Sequence, residues 1–111
     1  MQTPYITSNQ ELLTNIKSYL DSSISRKITL DDISELVHLN KMYISHLFKS
    51  AYGMTIIQYH NLARLKRARE LIQFTTRPLS DIAEELGFDS LYSFSRAFKK
   101  QEKVPPSFYR H

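Results

Sequence analysis

Two stretches of this chain of 111 residues are near copies of each other. Residues 30–39 read LDDISELVHL and residues 79–88 read LSDIAEELGF. Leu30, Asp32, Ile33, Glu35, Val37 and Leu39 match Leu79, Asp81, Ile82, Glu84, Leu86 and Phe88 at an offset of 49. A second block, Ser45, Phe48 and Lys49, matches Ser95, Phe98 and Lys99 at an offset of 50, so one extra residue sits in the second turn, where Gly87 supplies flexibility. Apolar residues in each copy recur at intervals of three and four, the stripe of an amphipathic helix. Each copy therefore reads as helix, tight turn, helix, and whatever one copy builds the chain builds twice.

The remaining elements follow from caps and breakers. Ser8-Asn9-Gln10-Glu11 has the form of a capping box, and Leu12, Leu13, Ile16, Tyr19 and Leu20 then predict a first helix over 9–22. Thr29-Leu30-Asp31-Asp32 is a second capping signal, ahead of a short helix carrying Leu30, Ile33, Leu36 and Val37. His38-Leu39-Asn40 reads as a turn, because His and Asn accept positive φ more readily than most residues. A third helix over 41–51 stops at Gly53. Residues 56–74 contain no Pro or Gly, and Leu62, Leu65, Ala68, Leu71 and Ile72 make them one long fourth helix. Thr75-Thr76-Arg77-Pro78 breaks it; the short-helix pattern returns at Leu79, a sixth helix spans 91–101, and Ser107 to Arg110 adds a last turn.

The expected fold is all-α, with two helix-turn-helix subdomains joined by a long central helix, about seven helices in all. Its expected division is a tail or linker remnant over 1–8, a first helix-turn-helix subdomain over 9–55, a connecting helix over 56–74 and a second subdomain over 75–111. The two glycines and four prolines suit such a fold better than a turn-rich all-β one.

Charge and composition narrow the function. Fifteen Lys and Arg against 11 Asp and Glu give a net charge of +4, which suits a polyanionic partner. The absence of cysteine excludes disulfides, thiolate catalysis and cysteine zinc sites. His38, His46, His60 and His111 show no metal-ligand spacing, no glycine-rich phosphate loop occurs, and nothing orders a Ser–His–Asp triad. Neither an enzyme nor a cofactor is expected. No apolar run approaches the roughly 20 residues of a membrane span, and MQTPYITSNQ has no signal-peptide core, so a cytoplasmic protein is expected.

A helix-turn-helix can place its second helix in a major groove, whereas a plain pair of packed αα-hairpins does not imply DNA. The face that the core leaves free separates the two. In the first copy it holds Met42, Ser45, His46 and Lys49, and in the second Tyr92, Ser95, Arg96 and Lys99. Neither set includes a carboxylate; Asp31, Asp32, Glu35, Asp81, Glu84 and Glu85 fall on the preceding helices. That segregation is what a phosphate-facing surface needs. A helix of roughly 19 residues spans about 28 Å, against about 34 Å between successive major grooves, so one chain is expected to read two adjacent grooves.

These residues resemble the DNA-binding domain of the AraC/XylS family of bacterial transcription regulators, over about Leu12 to Arg110. The most specific matches are Ile82-Ala83, Gly87-Phe88, Phe94-Ser95-Arg96, Phe98-Lys99, Pro106 and Tyr109-Arg110, with Tyr59, Arg64, Ala68 and Leu71 in the long helix. The chain departs from the family at His38 (often Gly), Asn40 (often Ser), Tyr92-Ser93 (the inverted order), Lys103 (usually Gly) and Pro105 (usually Thr or Ser). Val104-Pro105-Pro106 is similar to the small single-domain members, which act as monomers on asymmetric sites. The resemblance implies a transcriptional activator, with double-stranded DNA and RNA polymerase as partners and a dimer only within a longer regulator.

It also implies roles. Arg96 is the leading base reader, its fork matched to guanine O6 and N7, with a phosphate contact or an i,i+4 surface pair as the alternative. His46 is its counterpart in the first copy. Ser45 and Ser95 can bond a base or a phosphate, and Met42 and Tyr92 can touch thymine methyls. Lys41, Lys49, Lys99 and Lys100 are phosphate candidates, and Arg64 is structural, in need of a carboxylate or carbonyl partner. The rival reading is a helical protein-interaction module that docks through the acidic faces of the preceding helices.

Overall fold

The computed structural model describes residues 8–110. Apart from Ser8, the expected tail over 1–8 lies outside the described residues, as does His111. In chain order the elements are α1 (Asn9–Ser22), α2 (Leu30–Val37), α3 (Lys41–Tyr52), α4 (Ile56–Phe74), α5 (Leu79–Glu85), α6 (Leu91–Glu102) and a 3₁₀ turn (Pro106–Tyr109). Among the described residues there is no strand, and no helix is long and apolar enough to cross a membrane.

The caps act where the sequence puts them. Ser8 Oγ accepts from Glu11 N at 3.1 Å to start α1. Thr29 Oγ1 accepts from Asp32 N at 3.1 Å and Asp32 Oδ2 from Thr29 N at 2.9 Å to start α2. A further reciprocal box starts α4, where Thr55 Oγ1 accepts from Gln58 N at 3.0 Å and Gln58 Oε1 from Thr55 N at 2.9 Å. Each of these two reciprocal boxes satisfies two backbone donors that a helix N-terminus otherwise leaves unpaired, whereas the Ser8 cap satisfies one.

The described chain forms two compact units. The first comprises residues 8–23 and 28–60, and the second comprises residues 24–27 and 61–110. Leu12, Leu13, Ile16, Leu20, Ile28, Ile33, Ile44, Phe48 and Ile56 make the first core. Leu65, Ala68, Leu71, Ile72, Ile82, Ala83, Leu86, Phe94 and Phe98 make the second. In each unit the two helices of the repeat meet through the matched positions, Ile33 with Ile44 and Phe48 in one, Ile82 with Phe94 and Phe98 in the other.

The repeat runs further than the motif. Phe48 meets the edge of Tyr59 at 5.8 Å and 74°, and Phe98 meets Tyr109 at 5.9 Å and 74°. Gly53 and Lys103, at the same offset, both end their helices in the left-handed region at φ 73° and 69°. Tyr59 sits on α4, entered through Thr55-Ile56, whereas Tyr109 sits on a 3₁₀ turn entered through Pro105-Pro106. Two local routes deliver one aromatic clasp.

The turns locate the inserted residue. His38 takes φ 57° and ψ 41°, and Leu39 N donates to Ser34 O at 3.3 Å. Gly87 takes φ 78°, and Phe88 N donates to Ala83 O at 3.0 Å. Both are left-handed helix ends closed by the same 6→1 bond. Asn40 and Ser90 then cap the next helix, so the extra residue is Asp89. Asn40 itself has φ −62° and is a cap rather than a positive-φ turn residue. Gly87 has a requirement beyond flexibility: a Cβ there would lie 2.5 Å from the Cα of Arg26. Only a glycine admits the backbone of residues 24–27 so close.

Two buried polar side chains on α4 brace the end of α1 and the Gly87 turn. His60, 1% exposed, lies 2.9 Å through Nε2 from the Ser23 carbonyl at the end of α1. Arg64, 4% exposed, donates to Leu86 O at 3.0 Å and to Asn61 Oδ1 at 2.7 Å, and its guanidinium lies 4.1 Å from the ring centre of Phe88. The expected carbonyl partner is thus the last residue before Gly87. Burial pulls the Arg64 pKa down, and the nearby Asp89 charge works against that.

Candidate nucleic-acid interface

α3 and α6 expose matching positions. Ile44 and Phe48, like Phe94 and Phe98, are fully buried, and that fixes how each helix rolls on its core. The roll turns Lys41, Met42, His46 and Lys49 outward on α3, with Ser45 half-buried among them. It does the same to Tyr92, Arg96 and Lys99 on α6, with Ser95 half-buried. Met42 is 80% exposed and Tyr92 70%, values that core packing does not explain. Residues spaced by three and four share one side of a helix, so each set is one continuous face.

On α3 the expected residues gather around one shallow concavity. Lys41, Met42, Ser45, His46 and Lys49 line it together with Leu30 from α2 and Thr55 from the start of α4. Ser45 Oγ is buried on this face and has no hydrogen-bond partner. Leu30 and Thr55 were not among the sequence candidates. Their signals were the Thr29–Asp32 and Thr55–Gln58 boxes, which fix where α2 and α4 begin and so which side chains flank α3.

The charge segregation is less complete than the sequence suggests. Asp31, on the preceding helix, reaches Lys41 Nζ at 2.9 Å. Asp31 occupies the first turn of α2, and Lys41 opens α3, so the tight turn brings them together. Both side chains are more than half exposed, and such pairs are weak enough to exchange partners. Lys49, by contrast, is in no ion pair among the described residues.

On α6 the Arg96 guanidinium lies 5.6 Å from the centre of the Tyr92 ring. Ser90 caps the helix by accepting from Ser93 N at 3.0 Å, and its hydroxyl donates to Ser93 Oγ at 3.0 Å. That engages Ser93 in the cap and leaves Tyr92 as the projecting member of the inverted pair. Lys99 lies on the Tyr92–Ser95–Arg96 face. Lys100, four residues after Arg96, extends it by one turn, and its carbonyl accepts from Lys103 Nζ at 3.2 Å. Glu102 on the same helix is turned elsewhere, held by Arg69 at 3.2 Å. Among the described residues no group of His, Asp and Glu has a metal-binding arrangement.

Comparison with known proteins agrees with this geometry. The sequence profile of a family described as "Helix-turn-helix domain" matches residues 33–111. The regulatory protein SoxS of Escherichia coli (strain K12) is 31% identical over 104 residues, spanning 94% of this chain and 97% of that protein. The chain belongs to the AraC-type helix-turn-helix family. Two solved structures place this AraC-type chain among its relatives in fold. The C-terminal domain of AraT, a response regulator from Geobacillus stearothermophilus, superposes with a TM-score of 0.88 at 30% identity, covering 94% of this chain and 87% of that one. A transcriptional regulator from Chromobacterium violaceum, described as containing an AraC-type DNA-binding domain, gives 0.83 at 30% identity, covering 91% and 90%.

Proposed function

We propose that this chain is a sequence-specific regulator of transcription that lays α3 and α6 into major grooves of double-stranded DNA. The observation that carries the proposal is the doubled face: two helices in the same register on their cores, each presenting lysines and hydrogen-bonding side chains on a face that holds no carboxylate. The descriptions of SoxS as a regulatory protein and of the Chromobacterium structure as a transcriptional regulator with an AraC-type DNA-binding domain support the same activity here.

In this reading Arg96 bonds guanine O6 and N7, and His46 takes the corresponding place on α3. Ser95 bonds a base or a phosphate, as does Ser45 once its buried hydroxyl rotates outward, while Met42 and Tyr92 cover thymine methyls. Lys41, Lys49, Lys99 and Lys100 hold phosphates, Lys41 after releasing Asp31. With about six phosphates neutralised, log affinity falls against log salt with a slope of about −5. The regulator works in the cytoplasm as a monomer on an asymmetric two-part site, and activates by contacting RNA polymerase.

The test is a binding selection on a randomised duplex library at near-physiological salt. A two-part motif with halves about 10 bp apart is the expected result. A single enriched half would leave one copy as a backbone clamp. A folded, helical sample that enriches nothing would overturn DNA reading and favour a protein-interaction module.

A further inference from the structure

Arg96 does not project alone from α6. The Tyr92 ring lies one helical turn earlier with its centre 5.6 Å from the guanidinium carbon, and both side chains are exposed. Side chains at i and i+4 lie one above the other, so the contact belongs to the helix itself. An aromatic face is negative and attracts a cation, and Arg is the cation that also stacks flat. No carboxylate competes for it, since Arg96 is in no ion pair among the described residues. At the matching positions of α3 stand Met42 and His46, which cannot make this pairing.

A free, exposed arginine is spread over many rotamers, whereas bidentate bonding to guanine needs one planar orientation. We propose that Tyr92 is the positioning residue for Arg96: its ring restrains the guanidinium for guanine and covers a nearby base pair, where a thymine methyl fits. This inference rests on base reading by Arg96. Four residues of helix rise about 6 Å, between one and two base steps of about 3.4 Å, so the two side chains address base pairs one or two steps apart. The half-site under α6 then contains a guanine within two steps of a thymine. The half-site under α3 carries no such coupled step, because its two positions are uncoupled.

The experiment compares the unaltered protein with Tyr92→Phe, Tyr92→Leu, Arg96→Ala and the Tyr92→Leu/Arg96→Ala double variant. The duplexes carry the selected site, a replacement of the guanine, or deoxyuridine in place of the thymine, which removes only the methyl group. Tyr92→Leu should reduce the preference for guanine about two- to fivefold, and Tyr92→Phe should retain it. Adding Tyr92→Leu to Arg96→Ala should cost no further guanine preference. Deoxyuridine should weaken binding by the unaltered protein and by Tyr92→Phe, because the aromatic ring that covers the methyl is kept in both. Equal guanine preference in the unaltered protein and Tyr92→Leu overturns the positioning role, and so does an equal loss in Tyr92→Phe. If Arg96→Ala weakens every duplex to the same extent, base reading by Arg96 fails first and takes this inference with it.

Discussion

The two helix-turn-helix copies bury the same positions but close their turns with different parts. The first closes on His38 in the left-handed region, after a helix started by a reciprocal Thr29–Asp32 box. The second starts after Pro78 without a side-chain cap, closes on Gly87, carries the extra Asp89 and is braced from behind by Arg64. Yet α3 and α6 end in the same roll, each fixed by two fully buried side chains and an edge-on tyrosine. The core decides where a reading helix points, and the turn needs only to be closable. On the exposed faces Ser45 and Lys49 have the same chemistry as Ser95 and Lys99, while Met42 and His46 differ from Tyr92 and Arg96. The frame repeats and the reading chemistry does not, which suits a site whose halves differ in sequence.

The comparison can be pressed hardest at the cores. Phe48→Ala and Phe98→Ala should each cost about 3–5 kcal/mol, measured by chemical denaturation. Hydrogen exchange should show the loss concentrated in the unit that carries the change. Equal loss of protection in both units would mean that the copies are not separate in energy.

The turns should respond with opposite signs. Gly87→Ala should destabilise by at least about 1–3 kcal/mol from the positive φ alone, and by more because the Cβ meets the backbone of Arg26. His38→Gly should be neutral or stabilising by up to about 1 kcal/mol, since glycine removes the left-handed penalty. Thermal melts of both variants would show whether the turns are interchangeable.

Smaller effects sharpen the contrast between faces. Arg96→Ala should cost about 1–3 kcal/mol at its own base pair and relax specificity there. His46→Ala should cost less, because imidazole lacks the two-pronged fork; competition binding with single-base-pair substitutions distinguishes them. Lys49→Ala and Lys99→Ala should each reduce the salt slope by about one unit. Lys41→Ala should reduce it by less, because Asp31 already engages that charge. A full unit from Lys41 would mean that the ion pair has no influence on binding.

Much of this was legible in the sequence because it is written in local chemistry. The Ser8 and Thr29 caps, the Gly53 stop and the unbroken stretch of residues 56–74 set helix boundaries within a residue or two of those found. The candidate faces could be listed because the apolar stripe leaves its complement exposed. What escaped depends on the third dimension. Asp31 and Lys41 are ten positions apart and meet only once the turn closes. The Phe48–Tyr59 and Phe98–Tyr109 clasps have the same spacing, but a capped helix start in one copy and a proline pair in the other disguise it. The extra residue of the second turn is Asp89, which only the structure can name, because Gly87 has a left-handed counterpart in His38.

The close approach at Gly87 also has a genealogical side. The backbone it admits, around Arg26, is encoded ahead of the first copy although it packs with the second. A cut in the gene between the copies would strand that strip of chain on the wrong side. The second copy on its own therefore lacks part of the unit it packs into.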